Sequence, residues 1–213
     1  MRIKICGITS LSEARLAEAE GAHALGLLVG RLHAAADFLE PEQARELALA
    51  LSPFVVAVLV THRQDPEEVV ALAAQVPTAV AQLHSDLGPA ELKDLRARLL
   101  PRKILGLVSV EDDSALDRAR EIEPFVDGIV LDSRDRATDR VGGTGRVHDW
   151  SISARIVAAS RVPIILAGGL TPDNVGAAIR TVQPWGVDVN SGVESADGRK
   201  DPLRVRRFME AAR

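Results

Sequence analysis

Two side chains stand where they could move protons. Cys6, the single cysteine among 213 residues, follows Arg2-Ile3-Lys4-Ile5, a run with strand-forming character. Lys4 lies two residues back on the same side of such a strand, and an ammonium there favours the thiolate, the basic and nucleophilic form. The competing role for a lone cysteine is that of a small buried hydrophobe. Asp132 closes Gly128-Ile129-Val130-Leu131. A carboxyl leaving so apolar a run either caps a loop or is an acid whose pKa burial has raised.

Glycine-rich turns supply a second kind of chemistry. Gly168-Gly169 follows an apolar run, and Asn190-Ser191-Gly192-Val193-Glu194 follows another, long enough for a short extra helix. Without a Cβ the backbone N–H groups can approach an anion closely, so Gly168, Gly169, Ser191 and Gly192 are expected to hold a phosphate. The plainer role of Gly-Gly is to turn the chain. Gly142-Gly143-Thr144-Gly145 sits in a connection of 17 residues expected to lack structure of its own. Gly143 and Gly145 either belong to a lid that contributes N–H groups to the ligand or to a surface loop. His84 ends Gln82-Leu83-His84 and either lines the same mouth or is exposed, and Asp188 precedes the second glycine turn. His33, His62 and His148 fall in loops and His23 just before a strand. No histidine pair has the i, i+4 spacing of a zinc motif, so no metal is expected.

These residues meet only if the fold carries them to one end. Apolar strand-like runs at residues 2–6, 22–29, 54–60, 78–83, 102–107, 126–131, 162–167 and 186–189 alternate with stretches of helical period. The helices are expected from Ser10 or Ser12 to residue 20, then at 41–51, 66–75, 89–100, 113–123, 150–159, 172–182 and 202–212. Eight strand–helix units with no linker imply right-handed crossovers and a parallel sheet covered on both faces. The expectation is a single-domain (β/α)₈ TIM barrel spanning 1–213, rather than an open sheet, whose G-x-G-x-x-G turn is missing after the first strand. Cys6, the segment after Leu28, Thr61-His62, His84, Ser109, Asp132, Gly168-Gly169 and residues 188–192 then lie at the C-terminal ends of strands, where such barrels carry their sites. A thiol and a carboxyl at one mouth, with a phosphate site between them, suggest proton shuttling on a sugar phosphate.

Composition excludes other classes. The chain is 46% apolar and 26% charged, the range of a globular domain. A formal charge of −4 argues against nucleic-acid binding. One cysteine precludes an internal disulfide and fits a reducing, cytoplasmic setting. No run of about 18 apolar residues suggests a membrane span. Nothing in the sequence indicates an oligomeric state.

Six segments in chain order resemble the phosphoribosylanthranilate isomerase family of tryptophan biosynthesis. They are Lys4-Ile5-Cys6-Gly7-Ile8-Thr9, Gln82-Leu83-His84, Leu131-Asp132-Ser133, Gly142-Gly143-Thr144-Gly145 with Asp149-Trp150, Ile165-Leu166-Ala167-Gly168-Gly169-Leu170, and Gly186-Val187-Asp188-Val189-Asn190-Ser191-Gly192-Val193-Glu194. The resemblance implies an Amadori rearrangement of a phosphorylated aminosugar, without cofactor or metal, with Cys6 as general base and Asp132 as general acid. It implies substrate contacts at His84, Gly143, Gly145 and Asp188. The loop after the second strand departs from the family pattern: Asp37 falls where the family's carboxylate-binding arginine would, and Arg31 is then the expected cation. Ser85, His148 and Asn190 also stand where the family commonly has glycine, phenylalanine and serine. A relative acting on another aglycone is the alternative the altered loop suggests.

Overall fold

The computed structural model describes residues 1–30, 37–135, 140–141 and 148–213, without the side chains of 134–135 and 140–141. Eight parallel strands form a closed ring: β1 (Arg2–Ile5), β2 (Ala24–Val29), β3 (Val56–Thr61), β4 (Val80–Leu83), β5 (Lys103–Ser109), β6 (Gly128–Asp132), β7 (Ile164–Leu166) and β8 (Gly186–Val189). Each pairs with its chain neighbours, and β1 closes the ring against both β8 and β2. The expected barrel is therefore the observed one. Helices α1 (Leu11–Ala19), α2 (Pro41–Ala50), α3 (Pro66–Gln75), α4 (Pro89–Arg98), α5 (Ser114–Ile122), α6 (Trp150–Ala159), α7 (Val175–Val182) and α8 (Pro202–Ala211) follow the strands in turn.

Local chemistry starts these helices. Pro41, Pro66, Pro89 and Pro202 open four of them, where the missing N–H would have no intrahelical partner. Ser10, Asp65, Asp149 and Asp201 cap four by accepting a first-turn backbone N–H. The main apolar core lies between strands and helices, where Leu25, Leu27, Leu59 and Ile104 are fully buried. A smaller cluster of Cys6, Leu28, Val58 and Val60 fills the opposite strand faces.

Several boundaries differ from the sequence expectation, and at four places the cause is local. Strand β3 begins at Val56, because Pro53 and Phe54 form a turn that leaves the Phe54 ring 97% exposed. Helix α4 stops at Arg98, since Pro101 disfavours helical geometry in the residue before it. Helix α7 begins at Val175, because Thr171 N–H donates to the Asn174 carboxamide in a turn that precedes it. The long connection after β6 does carry structure of its own, a two-residue antiparallel ribbon of Arg134–Asp135 with Arg140–Val141.

Candidate active site

Cys6 and Asp132 are both nearly solvent-free, at 7% and 6% exposure, at the C-terminal ends of β1 and β6. Between them lies an ion pair. Lys4 and Asp188 are register partners on β1 and β8, and Lys4 Nζ meets Asp188 Oδ2 at 2.5 Å. Burial works against the Lys4 ammonium, but the charges of Asp188 and Cys6 outweigh it and raise its pKa. Burial pushes the Asp132 carboxyl up to about 7; the Ser133 N–H and Lys4 oppose this and Asp188 adds to it. Asp132 is thus an acid still partly protonated near neutrality, as a general acid requires.

The thiol does not behave as the sequence suggests. Burial lifts Cys6 to about 11, and Lys4 only partly offsets that, because the Asp188 carboxylate acts in the opposite sense. The ammonium expected to generate thiolate is largely neutralised by a partner 184 residues away. Cys6 rests as a thiol, and only its small ionised fraction can act as base. Its place depends on Gly26 of β2, where a Cβ would come within 2.6 Å of Cys6 Sγ and 3.1 Å of Lys4 Cε.

Beside this group, after β7 and β8, the two glycine turns converge. Gly168 and Gly169 adopt left-handed backbone, at φ 78° and 64°, which favours glycine. Asn174 fixes this turn, its Nδ2 donating to the Gly169 carbonyl at 2.9 Å. The predicted extra helix after β8 is a single 3₁₀ turn, Ser191–Val193. Gly192 presses so closely on the Leu170 carbonyl that no Cβ fits between them. The carboxylate of Asp132 reaches this side too, since a Cβ on Gly168 would meet its Oδ1 at 2.8 Å.

The third side of the mouth is aromatic. Phe38 begins a two-residue strand, Phe38–Leu39, beside β2 and packs on the apolar cluster that contains Cys6. Its ring meets His62 edge-on with centroids 5.5 Å apart, and His62 meets His84 at 4.8 Å. His84 Nε2 lies 3.6 Å from Asp132 Oδ2, while its Nδ1 is 3.1 Å from Gln82 Nε2. A run of rings therefore leads from the thiol's neighbourhood to the acid.

This geometry accompanies a match to known proteins. The family model described as N-(5'-phosphoribosyl)anthranilate (PRA) isomerase matches residues 3–211. The chain belongs to that family. It is 42% identical over 213 residues to N-(5'-phosphoribosyl)anthranilate isomerase 2 of Methanosarcina mazei, covering all of this chain and 94% of that one. The Haloferax volcanii isomerase is 42% identical over 212 residues, 100% of this chain and 93% of its own. Among solved structures, phosphoribosyl anthranilate isomerase from Thermotoga maritima superposes with a TM-score of 0.86 at 31% identity, covering 100% and 98% of the two chains. A second, solved in complex with reduced 1-(o-carboxyphenylamino)-1-deoxyribulose 5-phosphate, gives 0.83 at 31% with the same coverage.

Of the residues singled out in the sequence, Cys6, Asp132, His84, Asp188, Gly168, Gly169, Ser191 and Gly192 all stand at strand ends on this one face of the barrel. Arg31, His33, Gly143 and Gly145 lie outside the described residues. His23 and His148 are elsewhere: His23 Nδ1 accepts from the Ile3 N–H, and His148 bonds Ser153 Oγ at 2.7 Å. Gly26, Phe38 and Lys200 were missed, and His62, expected at the mouth as part of Thr61-His62, lies between the rings of Phe38 and His84. Asp37 does not face the mouth as an unbalanced anion; its Oδ2 accepts from Asn190 Nδ2 at 2.9 Å. Asn190 Oδ1 in turn accepts from the buried ammonium of Lys200, which also pairs with Glu194 at 2.6 Å.

Proposed function

We propose that Cys6 and Asp132 carry out the family's reaction as general base and general acid, with Gly168, Gly169, Ser191 and Gly192 receiving the phosphate. The protein is an aldose–ketose isomerase of tryptophan biosynthesis that converts N-(5'-phosphoribosyl)anthranilate to 1-(2-carboxyphenylamino)-1-deoxyribulose 5-phosphate. Another aglycone is not favoured, since relatives matching the whole chain act on the anthranilate derivative by name. We place the reaction in the cytoplasm, the compartment that keeps a lone thiol reduced.

The observation that carries the assignment is the pair of opposed environments around one ion pair. Asp132, protonated at the outset, delivers its proton to the furanose ring oxygen; the C1–O bond breaks and leaves an iminium. Cys6 thiolate removes the proton from C2, and the electron pair neutralises the iminium to an enolamine, which tautomerises to the ketone. The positive iminium next to Cys6 favours the thiolate at the moment it is needed. Lys4 limits the cost of two neighbouring anions, and Asp188 Oδ1, buried without a hydrogen-bond partner among the described residues, is an acceptor for a substrate hydroxyl. His84 borders the substrate beside the acid. Arg31 is proposed as a cation for the anthranilate carboxylate, and Gly143 and Gly145 as donors from the loop after β6. Cys6→Ala and Asp132→Asn should each lower kcat by about 10²–10⁴-fold while product-analogue affinity changes little. Near-normal turnover by Cys6→Ala would leave the cysteine a packing residue and overturn the assignment.

A further inference from the structure

We infer that Lys200 is a positioning residue of the reaction: its buried ammonium, acting through the Asn190 carboxamide, sets the turn that follows Cys6 against the turn after β8 proposed for the phosphate. This deepens the isomerase reading and rests on Cys6 being the base and on that turn receiving the phosphate. A substrate held at both points needs them at a fixed separation. A reacting carbon misplaced by about 1 Å from its base loses about 10²-fold in rate.

The two turns meet at Asn190. Its Oδ1 lies so close over Gly7, the residue after Cys6, that no Cβ fits there, and Gly7 takes left-handed backbone at φ 68°. That same oxygen accepts from Lys200 Nζ at 2.6 Å, and Nζ also donates to Glu194 Oε1 at 2.6 Å. Asn190 and Glu194 flank the 3₁₀ turn, so one ammonium grips both of its ends. The Lys200 side chain is 1% exposed, which strengthens these bonds by removing them from water. Its backbone N–H donates to Glu13 Oε1 at 3.0 Å, and Glu13 Oε2 accepts from the N–H and the hydroxyl of Thr9, both at 2.8 Å. Residues 7–9 are thereby tied to the β8 turn at both ends. Through Asn190 Nδ2 the same chain of bonds reaches Asp37 in the loop after β2. The 3₁₀ turn has bonds of its own, from the Val193 N–H to Asn190 O at 3.3 Å and from the Glu194 N–H to Ser191 O at 3.1 Å. Its shape can persist without Lys200; its place beside Cys6 depends on that residue.

The ammonium also bears on the base by its charge. Lys4 and Asp188, from β1 and β8, act on the thiol, and Lys200 joins Lys4 in favouring thiolate. Glu194, Glu13 and, through Asn190, Asp37 surround Lys200. Without the ammonium their negative charges would stand uncompensated and oppose a second anion nearby.

Lys200→Met removes the donor and the charge but keeps the apolar stem. It should lower kcat on N-(5'-phosphoribosyl)anthranilate about 10²-fold. The inhibition constant of inorganic phosphate should change less than about threefold, because the turn itself persists. Cys6 is the single cysteine, so alkylation by iodoacetamide across the alkaline range reads that thiol alone. The variant should react about threefold or more slowly, whereas a merely loosened fold would expose the thiol and react faster. Adding Glu194→Gln to Lys200→Met removes the stranded carboxylate, giving a second variant for the same measurements should the first not fold; the loss of kcat should persist in it. Wild-type kcat, phosphate inhibition lost in proportion to kcat, or faster alkylation would each overturn the positioning role. Near-normal turnover by Cys6→Ala would instead overturn the assignment of the base on which that role rests.

Discussion

Gly26 offers the sharpest perturbation of the catalytic centre, because it touches the thiol without belonging to the chemistry. Adding one methyl as Gly26→Ala places a carbon 2.6 Å from Cys6 Sγ and 3.1 Å from both Cys6 Cα and Lys4 Cε. Comfortable non-bonded contacts begin near ~3.5 Å, so the sulfur must retreat by about 1 Å or turn to another rotamer. The backbone of β1 cannot yield freely, since Cys6 N–H donates to Val189 O at 2.8 Å. Overpacking of this kind costs about 1–3 kcal/mol, or roughly 2–12 °C in Tm for a domain of this size. Displacing a catalytic group by about 1 Å costs about 10²-fold in rate. The assay is kcat on N-(5'-phosphoribosyl)anthranilate beside a melting curve. A fall in kcat of that order with KM nearly unchanged is expected. Wild-type kcat in a variant whose Tm has dropped would show that the thiol's position does not matter, and would refute the reasoning.

Other outcomes follow from the same geometry. Gly192→Ala forces the β7 and β8 turns apart at the Leu170 carbonyl, so KM should rise and inorganic phosphate should lose its competitive inhibition; unchanged inhibition would place the phosphate elsewhere. For the free enzyme, with Asp132 near 7 and Cys6 near 11, kcat/KM should climb with pH up to about 7 and then level. Beyond that point each gain in thiolate is matched by loss of protonated acid. A steep fall between pH 7 and 9 would contradict those ionisations. Stability should show the Asp132 environment directly, because its folded pKa lies above the unfolded one. The protonated form therefore stabilises the fold fully below the ordinary carboxylate pKa, and that contribution is lost as pH rises through about 7. Asp132→Asn should accordingly raise Tm more at pH 8 than at pH 5, and an equal shift at both would count against burial as the cause.

The sequence made visible what repeats along the chain and left unseen what pairs across it. The barrel followed from eight apolar runs, and the strand ends then nominated Cys6, Asp132 and the two glycine turns. Gly26 read only as part of an apolar run, since its contact with Cys6 depends on the register of β1 against β2. Thr61-His62 read as a strand end at the mouth, but nothing local places the His62 ring between Phe38 and His84. The thiolate expectation failed for the same reason: Lys4 is adjacent to Cys6 in sequence, but its charge is taken up by Asp188 across the β1–β8 ladder. Asp37 and Asn190 each looked like an isolated departure from the family pattern, yet they bond to one another.

That bond ties what position 37 can hold to what stands at position 190. Position 37 now faces a carboxamide whose oxygen is held by a buried ammonium. An arginine introduced there alone would meet donors rather than acceptors, with the Lys200 charge behind them. Asp37→Arg is thus not a neutral substitution in this structure. Accommodating it requires that position 190 change as well, so the two positions must be exchanged as a pair rather than one at a time.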